Sequence, residues 1–152
     1  MALTHVNDKG VVMVDISGKG PSQRRALAEG TIILSPDTIA LITSDGIRKG
    51  NVLATAQIAG IMAAKRTSSL IPLCHQVPLD EVSVTFAVHA DRISASCEAR
   101  TTHRTGVEME ALVGVSAALL AIWDMVKANE KDAKGQYPAT AIEDIRVVRK
   151  EK

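Results

Sequence analysis

Thr105-Gly106-Val107-Glu108-Met109-Glu110-Ala111-Leu112 opens a helix whose 13 residues from Ala111 to Trp123 carry no charge. Asp124 and Lys127 follow. The spacing predicts a helix over 106–129. A helix that apolar belongs in a core, so its charged ends must be paired or put to use. Glu108 and Glu110 favour the positive end of a helix dipole. On a helix they lie about 200° apart and serve different targets. On extended chain they project the same way, so the pattern predicts a frayed or extended start. Glu110 and Asp124 are 14 residues apart, about 21 Å on a straight helix. One small-molecule pocket in one subunit does not hold both ends. A homo-oligomer with sites shared between subunits is therefore expected.

Outward from this helix, 82–88 and 93–100 alternate apolar and polar residues around an Ala90-Asp91 turn, the pattern of a hairpin. Cys97 falls on its apolar side and reads as core. Gln23–Leu34 reads as a strand. Ser35-Pro36 caps a helix that Asp45-Gly46 stops. Asn51 caps an Ala-rich helix over 52–65, ended by Thr67-Ser68-Ser69. Leu70–Pro78 is an irregular linker, Glu130–Pro138 a polar loop and Ile142–Val148 a last strand, with Arg149-Lys150-Glu151-Lys152 beyond it. Residues 1–20 read as loop. Val11–Val14 is there either a short strand or a docked segment, and the whole stretch either a mobile terminus or a substrate cover. The order strand, helices, strand, strand, helix, strand predicts a single α+β domain over 1–152. It is ferredoxin-like, an antiparallel sheet with helices packed on one face.

With 18 Lys+Arg against 17 Asp+Glu and 2% aromatics, the chain lacks the basic excess and stacking platforms of nucleic-acid binders. No membrane association is expected either, because the uncharged run falls short of the ~20 residues a bilayer requires. Two cysteines make no disulfide framework and no zinc pattern, and no signal peptide opens the chain. A cytoplasmic setting is expected.

Candidate chemistry falls in three groups. His75 lies between Pro72 and Pro78 and reads either as an exposed loop histidine or, among its apolar neighbours, as a partly buried imidazole suited to proton transfer. Cys74 beside it points the other way on extended chain and is a poor partner nucleophile. Asp124 and Lys127 share a helical face. They read either as a surface pair or, given Ile122, Trp123, Met125 and Val126 around them, as a desolvated pair with a lowered lysine pKa. Lys19, Arg24, Arg25, Lys49, Lys65, Arg66 and Arg104 gather at loops and helix ends. No Walker loop or dinucleotide fingerprint is present, so a phosphate ligand would be held by scattered Lys and Arg side chains.

Lys49-Gly50-Asn51-Val52, Ala63-Ala64-Lys65-Arg66-Thr67, Leu70-Ile71-Pro72-Leu73-Cys74-His75, residues 105–112 and Asp124-Met125-Val126-Lys127 closely resemble the MoaC family of cyclic pyranopterin monophosphate synthases. Leu3-Thr4-His5 and Met13-Val14-Asp15 match as well. The resemblance implies molybdenum-cofactor biosynthesis. A cyclised dihydro-GTP would be converted to cyclic pyranopterin monophosphate with release of pyrophosphate. It also implies a hexamer, a trimer of dimers, with sites at subunit boundaries. Residue by residue, it implies Asp124 and Lys127 as catalytic, with Lys49 and His75 in the active site. Leu73, Cys74, His75, Met109 and Glu110 would contact substrate, with Glu108 nearby; Lys19, Arg24, Lys65 and Arg104 would meet the triphosphate. No cofactor is required on this reading and no resident metal is expected, though Mg²⁺ can accompany the triphosphate. Two departures stand out. Gln76 occupies a position where many members have Pro. The chain also ends without a Gly-Gly-Lys-Ser-Gly tail, which leaves Lys150 as candidate for the missing lysine. The alternatives of other classes are a non-catalytic nucleotide-binding module and a Cys/His metal protein, the latter without ligand spacing.

Overall fold

The computed structural model describes residues 5–8 and 10–152. The Leu3-Thr4 part of the first motif lies outside them. A two-residue hairpin, β1 (Val6–Asn7) and β2 (Gly10–Val11), precedes the main body. There β3 (Ser22–Ile33), β4 (Glu81–Val88), β5 (Arg92–His103) and β6 (Ala141–Glu151) form one antiparallel sheet in the order β4-β5-β3-β6. Among the described residues four helices complete it: α1 (Pro36–Thr43), α2 (Val52–Ala64), α3 (Thr67–Leu70) and α4 (Glu108–Glu130). This is the expected ferredoxin-like α+β arrangement.

Strand alternation decides which side the helices cover. The pairs Ala26–Ala99, Ala28–Cys97 and Ile32–Ile93 face α4 and are buried. The small side chains of the first two pairs let the helix come close. Burial drives the Cys97 thiol up to about 12, so it is inert core, as expected. Helix α4 packs closely on both α2 and the sheet. A Cβ on Gly60 would sit 2.9 Å from the Gly114 carbonyl oxygen, and one on Gly114 would strike the Cys97 sulfur. The hydrophobic core runs from Val107 through Ala111, Val115, Ala118, Leu119 and Ile122 to Val126, one stripe of α4. By length and composition alone α4 could cross a membrane, but half of that window is buried against its own domain.

The caps are local and form as the residues dictate. Ser35 Oγ accepts the Thr38 N–H at 3.3 Å, and Asn51 Oδ1 accepts that of Ala54 at 2.8 Å. The carboxylate of Glu130 then ties three elements together. It accepts from Ser35 N–H at 3.1 Å, Ser35 Oγ at 2.8 Å and Thr140 Oγ1 at 2.6 Å. The end of α4 is thereby fixed to the start of α1 and the approach to β6.

Several boundaries differ from expectation, among them that of β5, which runs on to His103. Thr67-Ser68-Ser69 does not simply end α2 but winds into α3, with Thr67 Oγ1 bonded to the Ala64 carbonyl at 2.9 Å. Of Val11–Val14 only Val11 is strand. The long helix starts at Glu108, two residues later than predicted. The last strand runs to Glu151, three residues beyond Val148. On the sheet side away from the helices, Glu98 lies 2.5 Å from Arg25 and 2.7 Å from Arg100, and Arg149 is 3.1 Å from Glu151. The charged terminal residues therefore continue the sheet.

Candidate active site

At the N-terminal end of α4, three distant segments meet around a cleft of about 460 Å³. The stretch before β3 brings Lys19, the linker brings Leu73, Cys74 and His75, and the start of α4 brings Glu108, Met109 and Glu110. Seven of the residues singled out in the sequence thus line one hollow. His5, Val14, Ile16, Ile71, Val77, Thr105 and Gly106 complete it. These carried no chemical signal in the sequence, being mostly apolar or glycine.

The two glutamates are not on extended chain. Both are helical, yet both border the cleft, because it wraps around the helix end. Their environments differ. Glu110 is only 4% exposed. Burial pushes its carboxyl up, and repulsion from Glu108 adds to this against a bond from its own backbone N–H. Glu108 is less enclosed. Burial alone would raise its carboxyl, but the Lys150 ammonium, its own N–H and Arg24 outweigh this and hold it down. Its carboxylate folds back over Gly106, where a Cβ would collide with it, and forms an ion pair with Lys150. The longer β6 thus brings Lys150 to the rim. The Cys74 thiol is raised, by burial first and then by Glu110, which disfavours a thiolate. His75 Nε2 lies 2.7 Å from the carbonyl oxygen of Val14. Residues 12–14 are therefore a docked segment, with Val11 alone in a strand.

At the other end of α4, Asp124 forms a separate cluster. Its Oδ1 accepts from Lys127 Nζ at 2.6 Å and its Oδ2 from Lys49 Nζ at 3.1 Å. Lys49 also reaches the Asp124 carbonyl at 2.7 Å. The hydrogen bond from Lys127, then that from Lys49, holds the carboxyl below its ordinary range. The expectation of a desolvated pair is overturned. The Asp124 and Lys127 side chains are 58% and 45% exposed, and Asp124 raises the Lys127 pKa rather than leaving it to fall. Of the apolar sequence neighbours, Ile122 and Val126 turn into the core, while Trp123 stacks edge-on against Tyr137 at 5.5 Å.

The remaining basic residues are not gathered into the cleft lining. Arg24 donates to the carbonyls of His103 at 3.1 Å and Arg104 at 3.4 Å. It braces the loop that leads into the cleft. Arg104 is exposed on that loop. Lys65 is exposed at the C-cap of α2. Among the described residues no three His, Cys, Asp or Glu side chains come together as a metal site would need.

Residues 13–152 match the MoaC family. A protein of Pyrococcus furiosus named probable cyclic pyranopterin monophosphate synthase is 61% identical over 150 residues, covering 99% of this chain and 96% of the relative. One of the same name from Thermococcus kodakarensis is 60% identical over 150 residues, with coverage of 99% and 96%. A Methanothermobacter thermautotrophicus protein is 59% identical over 149 residues, covering 98% and 94%, and is named a probable cyclic pyranopterin monophosphate synthase accessory protein.

Proposed function

The chain belongs to the MoaC family, and from that premise we propose that it is an enzyme of molybdenum-cofactor biosynthesis, acting as a cyclic pyranopterin monophosphate synthase. Its substrate is the cyclised dihydro-GTP, 3′,8-cyclo-7,8-dihydroguanosine triphosphate. The products are cyclic pyranopterin monophosphate and pyrophosphate. The observation that carries this reading is the convergence of Lys19, Leu73–His75 and Glu108–Glu110 on one cleft.

The residues divide the work. The buried cleft takes the ring system. A carboxylate is an acceptor for paired N–H donors, so Glu110 suits the amino-pyrimidinone edge, and Met109 and Leu73 supply apolar contact. Asp124 and Lys127 move protons while the imidazole-derived ring opens and the pterin ring closes. In the last step a ribose hydroxyl loses its proton and attacks the α-phosphorus. A new P–O bond forms as the bond to pyrophosphate breaks. The leaving charge needs cations, and Lys49, Lys19, Arg24, Lys65 and Arg104 are the candidates. Mg²⁺ would travel with the triphosphate oxygens, since it binds mainly through substrate phosphates and water.

The site is assembled from two copies. Helix α4 is unbroken from Glu108 to Glu130, so the two clusters stay about 21 Å apart in one chain. A neighbour must bring its Asp124 end to the Glu110 end. Association is supported by α2, which has no charge along 13 residues yet leaves Ile58 59% and Met62 42% exposed. A helix apolar on all sides belongs in an interior. We take the assembly to be a hexamer, a trimer of dimers, in the cytoplasm.

Incubation of the purified chain with the cyclised dihydro-GTP tests the activity. Stoichiometric pyrophosphate and cyclic pyranopterin monophosphate are expected. Tight binding without pyrophosphate would mark a non-catalytic nucleotide-binding module instead.

A further inference from the structure

Resting on the reading of the cleft as the substrate site, we propose that residues 12–20 are a strap latched across it by His75, and that the latch leaves Nδ1 as the basic nitrogen of the His75 ring.

After β2 the chain has no further strand or helix until β3 begins at Ser22. It is nevertheless shaped. The Val12 N–H bonds the His5 carbonyl at 2.9 Å, and the Lys19 N–H bonds that of Ile16 at 3.1 Å. The Ser17 N–H donates to Asp15 Oδ1 at 2.8 Å. Val14 and Ile16 alone in this stretch are partly covered, and the rest is exposed. Both line the cleft. Beside it lies a second hollow of about 500 Å³, bordered by Met13, Ser68, Ser69, Gln76 and His103. Ile16, Cys74 and His75 border both hollows. The strap is thus a partition laid over one wider depression. It also carries Lys19 to the cleft.

What ties the strap to the body is the contact from His75 Nε2 to the Val14 carbonyl, at 2.7 Å. A carbonyl oxygen only accepts, so Nε2 carries the proton. In the neutral ring Nδ1 is then the acceptor. The bond therefore does two things. It holds the strap down, and it fixes the tautomer, so that proton uptake by this imidazole happens at Nδ1. Val14 acts here as a positioning residue through its backbone, with no demand on its side chain.

Hydrogen exchange at millisecond-to-second labelling times tests both parts on the full chain. The strap peptide is followed with a β5 peptide as folding control, in wild type, His75→Ala and His75→Gln. A glutamine amide can still donate to Val14 but takes up no proton. His75→Ala is expected to speed strap exchange about threefold to tenfold with β5 unchanged. His75→Gln is expected to keep slow strap exchange while losing pyrophosphate release. Wild-type strap exchange in His75→Ala would overturn the latch. Wild-type turnover in His75→Gln would overturn the role of Nδ1. The exchange measurement uses no substrate. A wild-type chain that releases no pyrophosphate therefore counts against the proposed function and not against the latch.

Discussion

The two ends of α4 hold their carboxylates by opposite means. Glu110, at the N-terminal end, is buried, and removal from water pushes its carboxyl up. Asp124, at the C-terminal end, is open to solvent, and two lysines pull its carboxyl down. Among the described residues, one end is a walled cleft with a single cation, Lys19, in its lining. The other is a charged triad open to solvent. That division is what the proposed shared site requires of one copy of the chain. The difference also separates what each end can be asked to do. Enclosure suits recognition, because a desolvated acceptor discriminates sharply among donors. A charged pair on an open surface contributes little to stability, which leaves it free for the chemistry proposed above.

The comparison is most exposed at Asp124. Asp124→Asn keeps the shape and removes the proton acceptor. Turnover is expected to fall by about 10²–10⁴-fold, the range for a general acid or base. The melting temperature should hardly move, because the side chain is solvated. A large loss of stability with a modest loss of turnover would make the triad a structural clasp and erase the contrast.

Mixing two dead variants sharpens the geometry. Glu110→Gln damages one end and Asp124→Asn the other. If each site takes its two ends from different copies, co-assembly at equal ratio restores about a quarter of the sites. Steady-state turnover of the mixed oligomer measures this directly. No recovery after verified subunit exchange would mean that each chain uses only its own ends.

How much of this was legible depended on whether the signal was local. Ser35 and Asn51 announce their helices because a cap needs only the next three residues. The antiparallel sheet with helices on one face followed from element order and alternation. Whether Lys127 is desolvated stays open in the sequence, because Ile122, Trp123, Met125 and Val126 are its neighbours in the chain but not all on its face. Arg149 and Glu151 looked like a tail because their partners, Glu98 and Arg25, lie far away in the chain. The Glu108–Glu110 pair suggested extended chain because two side chains were assumed to need one direction, whereas a cleft can curve around a helix end. The Val14 carbonyl had no signature at all, since every residue carries one.

The smallest expected effect probes the enclosed end by itself. The folded pKa of Glu110 is raised, so folding favours its protonated form. The stability it contributes is fully present below the unfolded value, near pH 4, and is lost as pH rises through the higher folded value. Glu110→Gln keeps a neutral, hydrogen-bonding group in that space at every pH. In acid the variant should melt with the wild type. Near pH 8 it should melt about 2–4 °C higher, as for ~1 kcal/mol in a domain of this size. The same variant should lose the stabilisation that bound substrate gives the wild type, because an amide replaces one of the carboxylate's two acceptor oxygens with an N–H donor. A lower melting temperature near pH 8 would mean that a cation reaches Glu110 in the assembled protein. The N-terminal end would then obey the same electrostatic rule as the Asp124 end, and the contrast between them would disappear.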